Sequence, residues 1–228
     1  MLKSFLSLVL DQSCYGCGQN LVIQEKMICF ECLGQIERND SVMRPVDNEL
    51  YYRLAGKIPL DGAASMFYFD KAGRLQRIIQ HIKYKDAMPL AQHMGSLLGS
   101  ILREEAFCEA GTTIIPVPLH WRRKWKRGYN QAAEICKGLA QSMDLTLDTS
   151  SLQRRGYTGT QTRLSGQARW QNVAEAFKLI GRPPRRVLLV DDVITTGATL
   201  EACIRVLMQA ENPPEKIYVA AIAMARKH

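Results

Sequence analysis

The sequence predicts an α/β fold: a parallel, Rossmann-like sheet preceded by a small cysteine-rich module. Three observations lead there. From Ala63 onward, short apolar runs alternate with amphipathic stretches of helical period, and strands separated by helices imply right-handed crossovers and a parallel sheet. Two CxxC pairs lie close together near the amino terminus. The apolar run ending at Val190 meets Asp191 and Asp192 and then falls into a Thr/Gly turn, which is how ligand sites beyond the carboxyl end of a strand are built.

Taken in order, Leu2, Phe5, Leu6, Val9 and Leu10 have helical spacing, so the first residues are expected to form a docked amphipathic helix. A secretory leader is disfavoured because Asp11-Gln12-Ser13 stands where a cleavage site needs small residues. Residues 14–32 form a unit of their own. Residues 63–69 read as a strand, and 72–82 as a helix with Leu75, Ile78, Ile79 and Ile82 on one face. A longer helix carries Leu90, Met94, Leu97, Leu98 and Ile101. Residues 112–117 form a short buried strand, and after a basic loop Ala132, Ile135, Cys136, Leu139, Ala140 and Met143 make another helical stripe. An irregular polar segment spans 150–172. The last elements are a strand at 186–190, a helix at 199–209 with Leu200, Cys203, Ile204, Leu207 and Met208 inward, and a strand at 216–225. The expected division is an amino-terminal helix and cysteine module over 1–50 and the α/β domain over 51–228.

The 228 residues suffice for one well-cored domain and a small appendage. Hydrophobic residues make up 46% and charged residues 23%, with no low-complexity tract, which argues against a long disordered region. Lys and Arg number 30 against 22 acids, and the net charge of +8 favours an anionic partner, either nucleic acid or a phosphorylated small molecule. No apolar run approaches the length of a membrane span. Seven cysteines, three of them isolated at Cys108, Cys136 and Cys203, are a reduced, cytosolic pattern, so the expected compartment is the cytoplasm.

Cys14, Cys17, Cys29 and Cys32 are spaced C-x2-C-x11-C-x2-C. A two-residue spacer turns both thiolates of a pair toward one ion, and two such turns complete a tetrahedral four-sulfur site. Gly18, directly after the second cysteine, suits a left-handed knuckle. Paired disulfides conflict with the cytosolic pattern, and a redox motif needs only one pair at a strand-to-helix junction. A structural Zn²⁺ is the favoured reading. Four cysteines leave no open position for catalysis.

At the Asp191-Asp192 strand end, the following turn offers backbone N–H groups, the hydroxyls of Thr195, Thr196 and Thr199, and Gly197, all at a helix start. Such a turn binds an anion, because amides and the positive end of the helix dipole converge on it. Carboxylates one turn away take ribose hydroxyls. A threonine N-cap at Thr199 would account for part of the pattern without a ligand. It does not account for two adjacent acids, which repel unless cations or hydroxyls satisfy them.

"VLLVDDVITTGAT" resembles the signature of type I phosphoribosyltransferases. By that resemblance Asp191 and Asp192 would bind the 2′ and 3′ hydroxyls of phosphoribosyl pyrophosphate (PRPP). Val193, Thr195, Thr196, Gly197, Ala198 and Thr199 would surround its 5′-phosphate. Ala198 stands where many members have a second glycine, a change that keeps the amides. Together with "CYGCG…ICFEC", "IKYKDAMPLA", "IIPVPLHWRRKWKRGYNQAAEI" and "TQTRLSGQARWQNVAEAF", in that order, the chain is similar from about Cys14 onward to the ComF family of competence-associated, GntX-like proteins. The resemblance implies a phosphoribosyltransferase fold and a part in DNA uptake during natural transformation, with competence proteins as partners. It supplies no acceptor.

Arg122, Arg123, Lys124, Lys126 and Arg127 crowd beside Trp121, Trp125 and Tyr129. Arg127, Gly128, Tyr129 and Asn130, before a helix, have the chemistry of a pyrophosphate loop. Cations with interleaved aromatics equally form a platform for single-stranded nucleic acid. The two roles are compatible, with Arg127–Asn130 facing the site and Arg122, Arg123, Lys124 and Lys126 facing outward. Residues 158–172 resemble, by position, the loop that closes over PRPP in this fold, with Arg163 and Arg169 covering leaving-group charge. The resemblance also covers Lys83 and Tyr84, whose roles the sequence does not define.

If the chain is an enzyme, a nucleophile attacks ribose C1 as pyrophosphate leaves through an oxocarbenium-like state. Mg²⁺ would neutralise the pyrophosphate, and Asp191, Asp192 and Arg127 would carry the chemistry. Such a reaction needs no protein nucleophile. The competing expectation is a zinc-ribbon adaptor for DNA or competence proteins that uses PRPP only as an effector, since fold does not imply activity.

Overall fold

The computed structural model describes residues 13–84, 87–119, 127–155 and 176–226. Five parallel strands form the sheet: β1 (Gly62–Phe69), β2 (Thr113–Pro116), β3 (Thr146–Leu147), β6 (Arg186–Ile194) and β7 (Lys216–Ala225), in the order β1-β7-β6-β2-β3. A separate antiparallel pair joins β4 (Leu152–Arg154) to β5 (Phe177–Leu179). The helices are α1 (Phe30–Gln35), α2 (Glu49–Ala55), α3 (Arg74–Tyr84), α4 (Met88–Glu104), α5 (Gln131–Met143) and α6 (Ala198–Met208), with a 3-10 turn at Asp40–Met43.

β6 shows why the sheet is sandwiched. Val187, Leu188, Leu189 and Val190 are all fully buried, and a pleated strand sends alternate side chains to opposite faces. Val187 and Leu189 pack with α2 and α6, whereas Leu188 and Val190 pack with α3, α4 and α5. A run buried on both sides carries no polar alternation, which is the mark of a parallel sheet covered by helices. On one face α4 and α5 meet through glycines. A Cβ on Gly95 would lie 1.9 Å from the Ile135 carbonyl oxygen, and one on Gly138 would lie 1.9 Å from that of Gln92.

Chain direction places the site. After β2 the chain returns through α5 to β3 on one side of the sheet, and after β6 it returns through α6 to β7 on the other. The boundary between β2 and β6 is therefore the switch point, where a crevice opens beyond the carboxyl ends.

The helical stripes expected at 72–82, 90–101 and 132–143 are α3, α4 and α5. The last helix starts one residue earlier than expected, at Ala198. The larger difference is β6. It does not stop at Val190 but runs through both aspartates to Ile194, because β7 continues to pair with it, Asp191 with Ala221 and Val193 with Ala223. On its other edge the pairing with β2 ends at Pro116 opposite Val190. The segment expected to be irregular from residue 150 begins with β4.

The boundary expected at residue 50 falls inside α2, whose Leu50 and Leu54 are buried in the core of the α6 face. Cys14, Cys29 and Cys32 join the core of the other face. Between them, residues 37–48 fasten to β1: Asn39 donates to the Ser65 hydroxyl at 2.8 Å, and Asn48, which N-caps α2, donates to the Ala63 carbonyl at 2.8 Å. Among the described residues no helix is long and apolar enough to cross a membrane. The amphipathic stretch at 2–10, the cations at 122–126 and the segment 158–172 with Arg163 and Arg169 lie outside the described residues.

Candidate functional site

A cleft of about 220 Å³ opens at the β2/β6 switch point. Its walls include Asp191 and Asp192 from β6, Thr195 and Thr199 from the following turn, and Asn130 and Gln131 at the start of α5. Three cations complete it: Lys83 from α3, Arg127 before α5 and Arg154 from β4.

Asp191 and Asp192 are adjacent in sequence but follow the pleat. Asp192 lies on the face of Leu188 and Val190, where it meets the Lys83 ammonium at 3.0 Å. Asp191 lies on the face of Leu189. Burial first, and then the charge of Asp192, push its carboxyl up to about 8, against the pull of the Asp192 N–H and of Lys83. Asp191 is therefore largely protonated at neutral pH, and Asp192 faces a cation. Each carboxylate also accepts the next backbone N–H, Asp192 to Asp191 and Val193 to Asp192, both at 2.8 Å.

The turn after β6 is shaped by Gly197, whose φ of 81° lies in the left-handed region. Gly197 is also the N-cap of α6 and offers no side-chain cap, while the Thr196 hydroxyl just before it accepts from the Ala198 N–H at 3.4 Å. Thr199 lies inside the helix, so a Thr199 cap does not explain the motif, and the first N–H groups of an 11-residue helix face the turn. Ala198 is the first helical residue and needs no glycine. Close by, α2 buttresses the turn. A Cβ on Gly197 would lie 2.4 Å from a Leu54 methyl carbon, and the buried Arg53 guanidinium donates to the Thr195 carbonyl at 2.5 Å and to the Ala225 carbonyl at 2.8 Å.

On the opposite wall Asn130 N-caps α5, accepting from the Ala132 N–H at 3.2 Å while donating to the Val117 carbonyl at 3.0 Å. Gly128, with φ of 80°, turns the chain into that cap. The Tyr129 hydroxyl donates to the Ile82 carbonyl. Arg127 lies over the Tyr84 ring, 5.1 Å from its centroid, and donates to Gln131 Oε1 at 3.0 Å. That bond orients the buried Gln131 amide, and its Nε2 has no partner among the described residues.

Of the residues expected from sequence, the cleft brings together Asp191, Asp192, Val193, Thr195, Thr199, Arg127 and Asn130. Thr196, Gly197 and Ala198 line an adjoining pit below the turn. Gly128 and Tyr129 shape the wall through their backbone and hydroxyl. Sequence reasoning missed Arg53, Gln131 and Arg154. Lys83 and Tyr84 acquire contacts here, one with Asp192 and one with Arg127. Their place in the last turn of an amphipathic helix was the available signal.

The four cysteines form a second site. Their sulfurs lie within 4.8 Å of one another, with Cys14–Cys32 at 3.6 Å and Cys17–Cys29 at 3.8 Å. A tetrahedron of sulfurs bonded at about 2.3 Å to one ion has edges of about 3.8 Å, so the cluster is proportioned to hold a metal. Gly16 and Cys29 N–H groups donate to Cys14 Sγ, and Cys32 N–H donates to Cys29 Sγ, each at 3.3 Å. Arg74 donates to Cys32 Sγ at 3.0 Å, bringing a positive charge to the thiolates. Gly18 has the expected left-handed φ, 83°. Gly16 is held to glycine by contact, since a Cβ there would lie 2.7 Å from Cys32 Sγ.

Residues 126–228 match the phosphoribosyl transferase domain family. That span carries Arg127, Arg154, both aspartates and the threonine turn. Competence protein F of Haemophilus influenzae is 35% identical over 158 residues, which are 66% of this chain and 68% of that protein. DNA utilization protein YhgH of Escherichia coli is 32% identical over 148 residues, 61% of this chain and 63% of its own length. The chain thus spans about two thirds of these relatives. Among solved structures, the allosteric regulatory enzyme of purine biosynthesis aligns with 63% of this chain and 30% of its own, at 19% identity and a TM-score of 0.43. Glutamine phosphoribosylpyrophosphate amidotransferase from B. subtilis aligns over the same shares at 18% identity and a TM-score of 0.42. With 35% of positions shared across two thirds of competence protein F, and with a phosphoribosyl transferase domain over its carboxy-terminal part, the chain belongs to the competence protein F family.

Proposed function

We propose that the cleft between β2 and β6 binds PRPP, and that the chain is a phosphoribosyltransferase-like protein acting in DNA uptake. The observation that carries this reading is the convergence on one cleft of two carboxylates, a helix start whose N-cap is a glycine, and three cations. The N–H groups of Thr196 to Thr199 and the dipole of α6 would receive the 5′-phosphate. Asp191 and Asp192 would accept from the ribose hydroxyls. Arg127, Lys83 and Arg154 would face the pyrophosphate, with Gln131 Nε2 donating a neutral hydrogen bond; Arg163, outside the described residues, is the further cation that the family resemblance adds.

Mg²⁺, held by ligand oxygens near the aspartates, would neutralise charge on the departing pyrophosphate. The chain's own part is to hold C1 open to an attacking atom and to stabilise the leaving group, with Asp191, Asp192 and Arg127 carrying the chemistry. The four-cysteine cluster would hold Zn²⁺ as a closed structural site. The relatives' names and the cations Arg122, Arg123, Lys124 and Lys126 favour single-stranded DNA as the macromolecular partner, in the cytoplasm.

Calorimetry with PRPP and Mg²⁺ tests the donor site. Binding lost on Asp191→Ala with Asp192→Ala supports it, and binding indifferent to the pair sinks it. A pyrophosphate-release assay across candidate acceptors, nucleic acid included, then separates a transferase from a PRPP-responsive adaptor.

A further inference from the structure

Helix α3 touches both sites. Its 11 residues span about 16 Å, and its two ends meet different chemistry. At the first residue, the Arg74 guanidinium donates to Cys32 Sγ at 3.0 Å and pairs with Glu31 at 3.3 Å. Further along, the His81 ring meets the Tyr15 ring edge-on with centroids 5.0 Å apart, and Tyr15 directly follows Cys14 in the first knuckle. The last three residues bear on the donor cleft and its wall. The Ile82 carbonyl accepts from the Tyr129 hydroxyl, the Lys83 ammonium meets Asp192 at 3.0 Å, and the Tyr84 ring lies under Arg127 at 5.1 Å.

Between the ends, Leu75, Ile78, Ile79 and Ile82 are buried in the core that also holds Cys14, Cys29 and Cys32. Apolar burial is non-directional, so the setting of α3 along and about its axis rests on its directional contacts. Away from the cleft, among the described residues, these are the contacts of Arg74 and His81 with the cysteine module. The Arg74 bond is strongest on a metal-held thiolate. Four thiolates around one divalent ion leave a net negative cluster, and a guanidinium bonded to such a sulfur is charge-assisted. Its second partner, Glu31, is 56% exposed and screened, so the sulfur is the stronger anchor.

We infer that α3 is a strut and Arg74 a positioning residue: through them the metal-loaded cysteine cluster sets where Lys83 stands in the donor cleft. The inference rests on the PRPP reading for the ligand, but not for the coupling between the two sites.

The test uses the full, metal-loaded chain and two readouts, PRPP titration with Mg²⁺ and hydrogen exchange of residues 78–84, which needs no ligand. Lys83→Met is expected to weaken PRPP by about tenfold or more, the worth of one charge-assisted bond. Arg74→Gln keeps every sulfur and is expected to retain the metal by native mass spectrometry. It should nevertheless weaken PRPP by about fivefold, since the ammonium is displaced rather than removed, and speed exchange in the last turn of α3. Arg74→Lys keeps a charge at the sulfur and is expected to recover most of that loss. In Arg74→Gln combined with Lys83→Met the two losses should not add, because both act through one side chain. Additive losses, or wild-type affinity with wild-type exchange in Arg74→Gln, overturn the strut. If Arg74→Gln loses the metal, His81→Ala, whose ring meets Tyr15 and no sulfur, carries the same two readouts. If PRPP fails to bind the wild-type chain, the donor reading falls and exchange alone decides: faster exchange in Arg74→Gln upholds the strut, and unchanged exchange overturns it.

Discussion

Arg53 offers the most searching test of how the site is held. It comes from α2, outside the segment that matches the transferase family, yet its side chain is 4% exposed and reaches the turn after β6. Arg53→Ala removes donors from the carbonyls of Thr195 and Ala225. A hydrogen bond from a charged group contributes about 1.5–3 kcal/mol. The lower end applies, since Nε is buried without a partner among the described residues and its loss relieves a cost. The ion pair with Glu49 adds little, because that carboxylate is 42% exposed and screened. Two bonds at the lower end give about 3 kcal/mol, or a fall in Tm of roughly 6–12 °C for a chain of this size. Releasing the Thr195 backbone has a separate effect on the ligand. Re-ordering even one residue costs about 1–2 kcal/mol, so PRPP affinity is expected to fall about tenfold. Arg53→Lys does not restore it, because one ammonium is no substitute for a fork that spans two carbonyls. Scanning calorimetry and PRPP titration decide the matter. Arg53→Ala with wild-type Tm and wild-type affinity would refute the idea that α2 positions the turn.

Other expectations follow from the same geometry. Because burial raises Asp191 to about 8, the folded chain keeps a proton that the unfolded chain releases near its usual 3.8. Stability from this group is full below about 4 and declines as pH rises toward about 8. Urea midpoints across that window should fall less in Asp191→Asn than in the wild type, and parallel pH profiles would reject the buried acid. Gly138→Ala drives a methyl to within 1.9 Å of the Gln92 carbonyl oxygen, a backbone atom that cannot turn aside. Prising α4 from α5 should cost about 3 kcal/mol, and an unchanged denaturant midpoint would contradict so close a helix contact. For the cysteine cluster, Gly16→Ala meets Cys32 Sγ at 2.7 Å, whereas a Cβ on Gly34 in α1 meets nothing within 4 Å. Native mass spectrometry should find the metal depleted in Gly16→Ala and retained in Gly34→Ala, and equal occupancy would refute the close contact at the knuckle.

What the sequence made legible divides along physical lines. Periodicity located α3, α4 and α5 because each buries a single face, and a stripe of apolar residues records which face that is. β3, β4 and β5 have two or three residues, too few for any period to register. Arg53 and Arg154 were missed for a different reason. Arg53 meets its carbonyl partners 142 and 172 residues away, so no local pattern marks it. The aspartate pair lies between these cases. Adjacency at the end of an apolar run pointed to the cleft correctly, but it implied two like charges crowded on one side. The pleat divides them between faces, burial keeps Asp191 largely neutral and Lys83 answers Asp192. Sidedness depends on β6 remaining a strand through both residues, and that depends on β7 pairing with it after β2 has ended. The edge that β2 leaves open is what gives the carboxylates a cleft to face. Two acids can therefore share this strand end before any ligand arrives, one held neutral by burial and the other answered by Lys83.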